Sequence, residues 1–515
     1  MRKLTALRRL SQISFLLLFV YILWSTTYPL TGKLAPRLFF IIDPFVMLVT
    51  ALSRRVFLSG LVFSFIMIGL AVLLGRFFCG WICPLGAFID AVGALRKKQR
   101  SISDSGNRIL RLPKFLFLGA VVLLSFFGIQ AAWVCDPIVV FGRFISLNFI
   151  PFVTKGLDTA FIFFIRTFHW YGAPYDFYRD AKASWLGIHP YYFSHSVTVF
   201  VFFLLIVALA FFLRRSWCRI VCPLGALYAL CARFGFLERV IKECKHCRRC
   251  KSDCRMGAIK DDGSYVKGEC VLCMDCLYDC PQNATSFVFL PRRSRLSGNS
   301  LQEPGKTDEG GISRRNFLLL AAISFFSFAG KKDRPAEFFL KNRGKKIIRP
   351  PAALREDEFV DRCIRCGNCM KVCITNGLQP VLFEAGPSGV WTPQLVPAIG
   401  YCEYHCTLCG QTCPTGAIKA LNIEEKKKTR LGLARIDQAL CLPWSRNEQC
   451  IVCEEHCPIP QKAIKFITEE VNGRIIQKPY IDKALCVGCG ICENKCPVRP
   501  ARAIQVYALQ EEEGV

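Results

Sequence analysis

The stretches "CKHCRRCKSDC" (Cys244–Cys254) and "CVLCMDCLYDCP" (Cys270–Pro281) decide the fold class of this chain. Each holds four cysteines spaced as Cys-x-x-Cys-x-x-Cys-x-x-x-Cys, so that its thiolates can wrap one iron–sulfur cube. In such a tandem, typical of two-cluster bacterial ferredoxins, the fourth cysteine of each run ligates the other cluster. The pattern predicts one cluster on Cys244, Cys247, Cys250 and Cys280 and another on Cys254, Cys270, Cys273 and Cys276. A zinc ribbon, the alternative, would leave cysteines over.

Four more cysteine quartets follow in the last third of the chain. They are Cys363, Cys366, Cys369 and Cys373; Cys402, Cys406, Cys409 and Cys413; Cys441, Cys450, Cys453 and Cys457; and Cys486, Cys489, Cys492 and Cys496. The second and third quartets are more loosely spaced, but a longer loop can still supply a ligand. Six quartets therefore predict six [4Fe-4S] clusters in α+β domains of the bacterial-ferredoxin type. The pairing of ligands among the last four quartets stays open at this stage.

Two further cysteine pairs close apolar segments, in "RFFCGWICPLGA" (Arg76–Ala87) and "RSWCRIVCPLGA" (Arg215–Ala226). Cysteines four apart share one face of a helix, about 6 Å apart along its axis. Because the two halves look like a repeat, Cys79 and Cys83 would face Cys218 and Cys222 and form a seventh four-thiolate metal site. A redox-active dithiol and simple helix packing are the alternatives. Cys135 and Cys231 remain outside every motif.

The composition indicates a membrane part joined to water-soluble parts, since the chain is 52% hydrophobic yet holds 67 Lys and Arg residues. A secreted disulfide scaffold is excluded, because such scaffolds are short chains without membrane spans. Apolar runs predict four spans with both ends cytoplasmic. The runs are Ile13 to about Leu30, Phe57–Leu74, Phe115–Val134 and Val197–Leu213. The shorter Leu38–Val49, which contains Pro44, is interpreted as an interfacial or re-entrant segment.

The predicted organisation is multi-domain, with an α-helical membrane domain and ferredoxin-like iron–sulfur domains. "SRRNFLLLAAISFFSFAG" (Ser313–Gly330) resembles a twin-arginine export signal, with a fifth membrane helix as the alternative. Either would carry the C-terminal domain across a bacterial inner membrane into the periplasm. The predicted parts are a membrane domain (1–231), a cytoplasmic two-cluster module (232–290), a linker (291–312), the signal or anchor (313–330) and a periplasmic four-cluster domain (331–515).

Several other classes of function are disfavoured. Each oxidised cube with four thiolates carries about −2, so six of them lower the formal charge from +28 to roughly +16. No nucleic-acid motif accompanies the remaining basic residues, and nucleic acid is not an expected partner. The chain has no Cys-x-x-Cys-His, so no c-type haem is predicted, and its six histidines disfavour a b-type haem. No Rossmann glycine pattern for NAD or FAD is found.

The motifs resemble a known pair of proteins joined in one chain. Residues up to about 290, with two Cys-x-x-x-Cys-Pro motifs and a tandem module, resemble the quinol-dehydrogenase membrane subunit of the NapH and MauN type. Residues from about 312 onward resemble the NapG and MauM type of periplasmic ferredoxin. "YHCTLCGQTCPTGAI" (Tyr404–Ile418) is the most telling piece of that second resemblance. In the family these are normally two polypeptides, and the fusion is a departure.

The resemblance implies electron transfer between the membrane quinone pool and a periplasmic reductase or cytochrome, with quinol as substrate. One alternative is a maturation or repair factor that supplies electrons for assembly of another protein's cofactor. Another is a subunit of a larger cytochrome-containing complex with a cytoplasmic donor or acceptor, and the direction of flow stays open. Quinol oxidation needs an ionisable proton acceptor, for which Asp136, His169, His189 and His195 are candidates. The alternative for each is that it caps a loop or faces water.

Overall fold

The computed structural model describes residues 2–30, 35–54, 60–95, 103–187, 192–241, 244–245, 247–289, 347–471 and 473–509. The predicted linker, the predicted twin-arginine segment and His189 lie outside these ranges. The chain divides into two compact units. The first comprises Met1–Ile22, Leu38–Gly142 and Phe200–Ala336, and the second comprises Leu23–Arg37, Arg143–Val199 and Glu337–Val515.

Helices make up the described part of the chain before residue 233. In chain order they are α1 (Arg2–Trp24), α2 (Leu38–Ile41), α3 (Pro44–Arg54), α4 (Leu61–Leu74), α5 (Phe77–Trp81), α6 (Pro84–Ala94), α7 (Asp104–Phe126), α8 (Ala132–Cys135), α9 (Pro137–Phe144), α10 (Ile150–Phe168), α11 (Ala173–Ala181), α12 (Ser196–Phe212), α13 (Ser216–Ile220) and α14 (Pro223–Ala232). One π-helical turn, Ile145–Phe149, joins α9 to α10, and another, Lys182–Leu186, follows α11. The result is a run of long helices interrupted by short ones at the cysteine and proline motifs.

Three helices of the described residues are long and apolar enough to cross a membrane: Leu4–Trp24, Asp104–Phe126 and Pro137–Phe168. Helices α4 and α12, at two of the predicted spans, are described over 14 and 17 residues. The 32-residue helix Pro137–Phe168 falls in a segment where the sequence predicted no span. These apolar helices indicate a membrane association, while the count of four spans stays a prediction.

Local sequence explains where the helices of the first unit begin. Helix α7 starts before the predicted span, because Ser103 caps it and its Oγ accepts a hydrogen bond from the Gly106 N–H at 3.2 Å. Helices α6 and α14 each begin with the proline of a Cys-Pro motif, at the position where a missing N–H costs nothing. Each cysteine pair therefore ends one short helix and opens the next.

Aromatic side chains form the core that joins α1, α2 and α9 in the first unit. The rings of Phe19 and Phe141 stack at 5.7 Å, and Phe40 lies 6.4 Å from Phe19. All three are almost fully buried. Helices α3 and α14 both pack against α4 and α7, which places the residues after the second Cys-Pro motif and those around Pro44 in one body.

The tandem-cysteine module belongs to the first unit. Its elements are β1 (Leu237–Ile241), α15 (Arg249–Ser252), a 3₁₀ turn at Lys267–Glu269, α16 (Asp275–Tyr278) and β2 (Thr285–Phe289). The two strands pair antiparallel, with Leu237 opposite Phe289. The pairing brings the two ends of the module together, so the two cysteine runs lie in the loop that the strands enclose.

The described C-terminal part, from residue 347, combines short helices with two-stranded sheets. Its elements are α17 (Glu356–Arg362), α18 (Asn368–Lys371), β3 (Leu378–Pro380), β4 (Pro393–Leu395), α19 (Leu408–Gln411), α20 (Ile423–Lys428), β5 (Gly432–Ile436), α21 (Leu442–Ser445), α22 (Val452–Glu455), β6 (Ile464–Val471), β7 (Arg474–Ile481), α23 (Ile491–Lys495) and β8 (Ile504–Ala508). The antiparallel pairs are β3 with β4, β5 with β8, and β6 with β7. Because β5 pairs with β8, the third and fourth quartets are enclosed between paired strands.

Candidate iron–sulfur centres

The cysteines of the tandem module meet in two groups of four. Cys250 is a close neighbour of Cys244, Cys247 and Cys280. Cys254 is instead close to Cys270, Cys273 and Cys276. Each fourth cysteine receives a backbone N–H, from Ala258 to Cys254 Sγ and from Ala284 to Cys280 Sγ, both at 3.2 Å. The structure thus brings together the two sets that the sequence predicted to share ligands crosswise.

A buried arginine lies between these two groups. Arg239 acts electrostatically on Cys250 of one group and on Cys270 and Cys276 of the other. Its Nη1 donates to the Gly263 carbonyl at 2.8 Å, which fixes its position. A guanidinium stays charged when buried, so Arg239 offsets negative charge on both groups of thiolates. Nothing in the sequence pattern singles out Arg239 among the many basic residues.

The four C-terminal quartets also exchange their fourth cysteines. Three of the resulting groups line cavities: Cys363, Cys366, Cys369 and Cys413 (group A); Cys373, Cys402, Cys406 and Cys409 (group B); and Cys441, Cys450, Cys453 and Cys496 (group C). The fourth, group D, consists of Cys457, Cys486, Cys489 and Cys492. The spacing left this grouping open, and the ligands of each cluster are proposed from it.

The four groups follow one another in an order that differs from the sequence. Group B adjoins group D, because the Cys402 N–H donates to the Cys489 carbonyl at 2.8 Å. The buried Lys426 acts on Cys402 and Cys406 of group B and on Cys489 of group D. Cysteine exchange links A with B and C with D, so the spatial order is A, B, D, C.

The surroundings of these thiols suit clusters rather than free cysteines. Burial raises the pKa of the Cys402 and Cys453 thiols to about 12, and that of Cys489 to about 11. Free thiols would therefore stay protonated, whereas coordination to iron ionises them. Among the described residues, no three His, Cys, Asp or Glu side chains converge closely enough for a single metal ion. Thiols grouped in fours supply the four ligands of one iron–sulfur cube.

The two Cys-x-x-x-Cys-Pro motifs meet in the first unit. Cys79, Cys83, Cys218 and Cys222 are all buried, and Cys222 is close to the other three. The Gly86 N–H donates to Cys83 Sγ at 3.4 Å, and the Gly225 N–H donates to Cys222 Sγ at 3.2 Å. The hydrogen bonds match between the two halves, as expected for a repeat. The four thiols form one group, which we call the paired-motif site.

Two buried arginines face the paired-motif site. Arg76 acts on Cys79, Cys218 and Cys222, and Arg215 acts on Cys218. Arg76 is fully buried, and its Nε and Nη2 have no hydrogen-bond partner among the described residues. Buried, permanently charged donors without partners are costly, and an anionic group between the thiols would satisfy them. The residues present therefore fit an anionic iron–sulfur cluster.

The paired-motif site adjoins the tandem module. The Trp81 Nε1–H donates to the Leu272 carbonyl at 3.0 Å. A Cβ added to Gly80 would lie 2.0 Å from the Val271 carbonyl oxygen, so only glycine permits this approach. The loop from Cys270 to Cys273 therefore packs directly on the first cysteine motif. The sequence alone does not show that Gly80 lies against the Val271 carbonyl.

The candidate quinol residues that the structure describes belong to different units. Asp136 is fully buried and belongs to the first unit. His169 ends α10 in a left-handed conformation, and His195 Nε2 lies 3.3 Å from Glu384 Oε1; both belong to the second unit. These observations leave Asp136 as the candidate in a fully buried setting. The role of each residue stays a proposal.

Six cysteine groups of this kind define the class of the protein: it is a ferredoxin-type iron–sulfur electron-transfer protein. Models described as "4Fe-4S binding domain" match residues 56–103, 196–241 and 479–500. The ferredoxin-type protein MauM of Methylorubrum extorquens is 35% identical over 42% of this chain and 89% of its own length. NapG of Escherichia coli is 33% identical over 32% of this chain and 73% of its own length. The chain therefore belongs to the family of ferredoxin-type proteins that includes MauM and NapG.

Other similarities concern the rest of the chain. A family model described as "NosR" matches residues 242–290, which hold the tandem module. Protein NirI of Paracoccus denitrificans is 27% identical over 47% of this chain, which spans 30% of that protein. No solved structure matches. The predicted resemblance is confirmed: a MauM- and NapG-type part is joined to a second iron–sulfur part.

Proposed function

We propose that this chain oxidises membrane quinol and passes the electrons through bound [4Fe-4S] clusters to a redox partner in the periplasm. The observation that carries the proposal is the paired-motif site, where two cysteine motifs from apolar helices meet beside the tandem module. A thiol group so close to the apolar helices is a suitable entry point for electrons from a lipid-soluble donor.

The protein's own residues would bind the clusters and hold them in a row. Six groups of four cysteines would hold six clusters, and the paired-motif site would hold a seventh. A bound cube accepts or releases one electron with little rearrangement. Arg76 and Arg239 offset the negative charge of the thiolates, and burial keeps water away from them. The chain's contribution is thus ligation, spacing and charge balance.

The C-terminal groups support the second half of the proposal. In the second unit, Gly367 of the group A loop packs closely on the π-helical turn before α10. A Cβ added to Gly367 would lie 3.3 Å from the side chain of Leu147 on that turn. The Arg143 guanidinium lies 4.1 Å from the ring centre of Trp391 and acts on Cys363 and Cys366. Group A therefore lies against the helical segment and group C lies at the other end of the series. We assign group C the contact with the periplasmic partner.

The test is quinol-dependent reduction of the purified full chain, loaded with iron and sulfide and followed by EPR. We expect a reduced menaquinol or ubiquinol analogue to produce reduced-cluster signals under anaerobic conditions. Iron and acid-labile sulfide analysis should give seven cubes, and Cys79→Ser with Cys218→Ser should lower the count to six. Cys231→Ser is the matched control, because Cys231 belongs to no group of four.

Two outcomes would contradict the proposal. If dithionite reduces the clusters but neither quinol analogue does so, the chain does not oxidise quinol. Six cubes with four titratable thiols would reduce the paired-motif site to a dithiol or a packing role. Steady quinol-dependent turnover with a purified periplasmic reductase would support a respiratory role. If deleting this protein instead removed only the cofactor of a partner enzyme, a role in cofactor maturation would be supported.

A further inference from the structure

Two Asp-Pro sequences occupy matching places in the two halves of the first unit. Asp43 precedes Pro44 at the start of α3, and Asp136 precedes Pro137 at the start of α9. Asp43 Oδ1 accepts hydrogen bonds from the Phe45 and Val46 N–H groups, at 2.9 and 3.2 Å. Asp136 Oδ1 accepts the same pair of bonds from Ile138 and Val139, both at 2.9 Å. The repeat that produced the paired cysteine motifs therefore also produced paired carboxyl groups.

The two carboxyl groups adjoin each other in the interior. Both residues are fully buried, and each acts on the other through its side chain. The two segments are held together by Gln130, whose Nε2 donates to Thr50 Oγ1 on α3 at 2.6 Å. Gln130 Oε1 accepts the Ala132 N–H at 3.0 Å, which ties it to α8 just before Asp136. Packing of α3 against the segment that contains α8 therefore holds the two carboxyl groups beside each other.

Two neighbouring carboxyl groups in an apolar interior cannot both stay ionised at low cost. Like charges at close range favour a state in which one proton is shared. Neither carboxyl forms an ion pair among the described residues, and there each Oδ2 has no hydrogen-bond partner other than the neighbouring carboxyl group. Such a pair has room for one more proton. Buried ionisable groups within membrane helices commonly mark proton routes.

A tyrosine connects this pair with the paired-motif site. Tyr228 on α14 is fully buried, and its hydroxyl has no hydrogen-bond partner among the described residues. Asp43 is the charged group that acts on it most strongly, and Cys79 and Cys83 follow. Its ring lies 5.6 Å from that of Phe78, next to Cys79. An unpartnered buried hydroxyl between a carboxyl pair and a thiol group is a second indication of a site.

We propose that Asp43 and Asp136 form a shared-proton pair that accepts the protons released when quinol is oxidised beside the paired-motif site. This inference rests on the proposed function and adds the proton acceptor to it. Quinol yields quinone, two protons and two electrons, and the electrons reduce two oxidised clusters, one each. For each electron, a quinol O–H bond breaks and an O–H bond forms on the pair, directly or through one water. The pair releases that proton to water before the next transfer, so atoms and charge balance.

The groups that face the pair limit which ionisations can matter. On the packed helices these are Tyr228 of α14, on which Cys231 acts in turn, and Cys135 of α8, whereas Lys114 of α7 is engaged with Glu269. Cys135 and the tyrosine are neutral near pH 7, and α4 carries no ionisable side chain in its described part. The carboxyl pair is therefore the group expected to shape the pH profile.

The test compares quinol-dependent cluster reduction by the loaded full chain with that of Asp43→Asn and Asp136→Asn. Asparagine keeps an oxygen for the helix cap but takes up no proton. We expect the rate to fall roughly 100-fold in each variant. The double variant should fall little further, because the pair acts as a unit. The wild-type rate should rise with pH, because the pair then accepts a proton more readily, and the asparagine variants should lose this rise. Asp43→Glu, which keeps a carboxyl group, should retain part of the rate that Asp43→Asn loses.

Asp262→Asn is the matched control, since Asp262 Oδ1 also accepts a backbone N–H, at 2.9 Å, but the side chain is exposed. Its rate and pH profile should equal those of the wild type. Dithionite should reduce all variants fully, with unchanged iron content. If the wild type itself ignores quinol, the proposed function fails. If quinol reduces it and both asparagine variants keep the wild-type rate and pH profile, the carboxyl pair is overturned while the proposed function stands.

If the asparagine variants fail to bind clusters, a measurement on the wild type alone still tests the carboxyl pair. Infrared difference spectra of the wild type, reduced minus oxidised with quinol, should show a change in the C=O stretching band of a carboxylic acid. Labelling with ¹³C-aspartate should shift that band. Spectra without any aspartic acid band would overturn the pair without reference to a variant.

Discussion

Arg215 and Asp90 form a two-pronged ion pair in the first unit. Arg215 Nε lies 2.8 Å from Asp90 Oδ1, and Nη2 lies 2.7 Å from Oδ2. Arg215 Nη1 also donates to the Cys79 carbonyl at 3.0 Å. Because Arg215 precedes the second cysteine motif and Asp90 follows the first, this single pair fastens the two halves of the paired-motif site together.

Asp90→Asn should therefore destabilise the first unit and loosen the paired-motif site. Removing one partner leaves a buried guanidinium uncompensated, at a cost of about 3–5 kcal/mol. The expected result is a lower apparent melting temperature in detergent and loss of iron from one site. Asp176→Asn breaks the exposed pair with Arg179, and it should change the melting temperature little. Equal behaviour of the two variants would contradict this role for Asp90.

Gly80→Ala should separate the tandem module from the paired-motif site. The new methyl group would collide with the Val271 carbonyl, which belongs to a loop fixed by cysteines on both sides. We expect slower electron transfer into the tandem module and faster proteolysis of that module. Gly69→Ala on α4 is the matched control, because a Cβ there meets nothing within 4 Å. Wild-type transfer rates in Gly80→Ala would show that the approach is not needed.

Glu269→Gln should weaken the contact between the tandem module and the helices. Glu269 accepts hydrogen bonds from Arg76 Nη1, at 2.9 Å, and from Lys114 Nζ. Burial by itself raises the pKa of Glu269, but Lys114 and Arg76 outweigh it and hold the pKa below its usual value. The stabilisation is therefore fully present above the unfolded pKa of about 4.3 and is lost as pH falls through the folded pKa.

Melting temperatures of Glu269→Gln and the wild type should accordingly differ most near pH 7 and converge in acid. The loss at pH 7 should be about 3–5 kcal/mol, as for other broken buried pairs. Glu238→Gln, which breaks the partly exposed pair with Lys267, is the control and should cost less than about 1 kcal/mol. A pH-independent difference would show that Glu269 acts through packing alone.

Cys373→Ser should damage the cluster of group B and spare that of group A. Cys373 follows Cys369 of group A in sequence, but it lines the cavity of Cys402, Cys406 and Cys409. EPR of the reduced variant should show one altered signal with the group A signal intact. The converse variant, Cys413→Ser, should alter group A. If each serine instead affected the cluster of its own run, the exchange of ligands would be wrong.

Lys426→Met should lower the reduction potentials of two clusters at once. Reduction adds negative charge to groups B and D, and the buried Lys426 stabilises that charge in both. Each tenfold loss of the reduced form corresponds to about 59 mV for one electron. Redox titration followed by EPR would measure the shift. Lys427→Met is the control, since Lys427 carries the same charge on the same helix but pairs with exposed Glu424.

The cysteine spacing predicted the class of protein and picked out the cysteines that the structure gathers in six groups of four, because iron–sulfur ligation demands a fixed local pattern. It also predicted that Cys254 and Cys280 would cross between clusters, since that exchange is typical of the tandem pattern. It did not determine the partners of Cys413 or Cys496. Those partners depend on how separate loops fold together. The looser spacing of the second and third quartets also concealed their similarity to the tandem two-cluster pattern.

The charged residues around the centres were harder to foresee. Arg76 and Arg215 occupy the same place before each cysteine motif, but sequence alone cannot show that a guanidinium is buried. Asp136 was singled out, whereas Asp43 was missed because its apolar surroundings read as a short interfacial segment. Helix boundaries also differed: α7 starts earlier than the hydropathy indicated, since a serine cap and not apolarity begins it.

The exchange of fourth cysteines has a consequence for biosynthesis. While the ribosome is still making the second run of a pair, the first run lacks one of its ligands and cannot complete its centre. Neither cofactor of a pair can be finished before both runs have emerged, so assembly proceeds in steps of two. A chain truncated after Cys457 would keep three cysteines of group C and one of group D, so neither of these two centres could be completed.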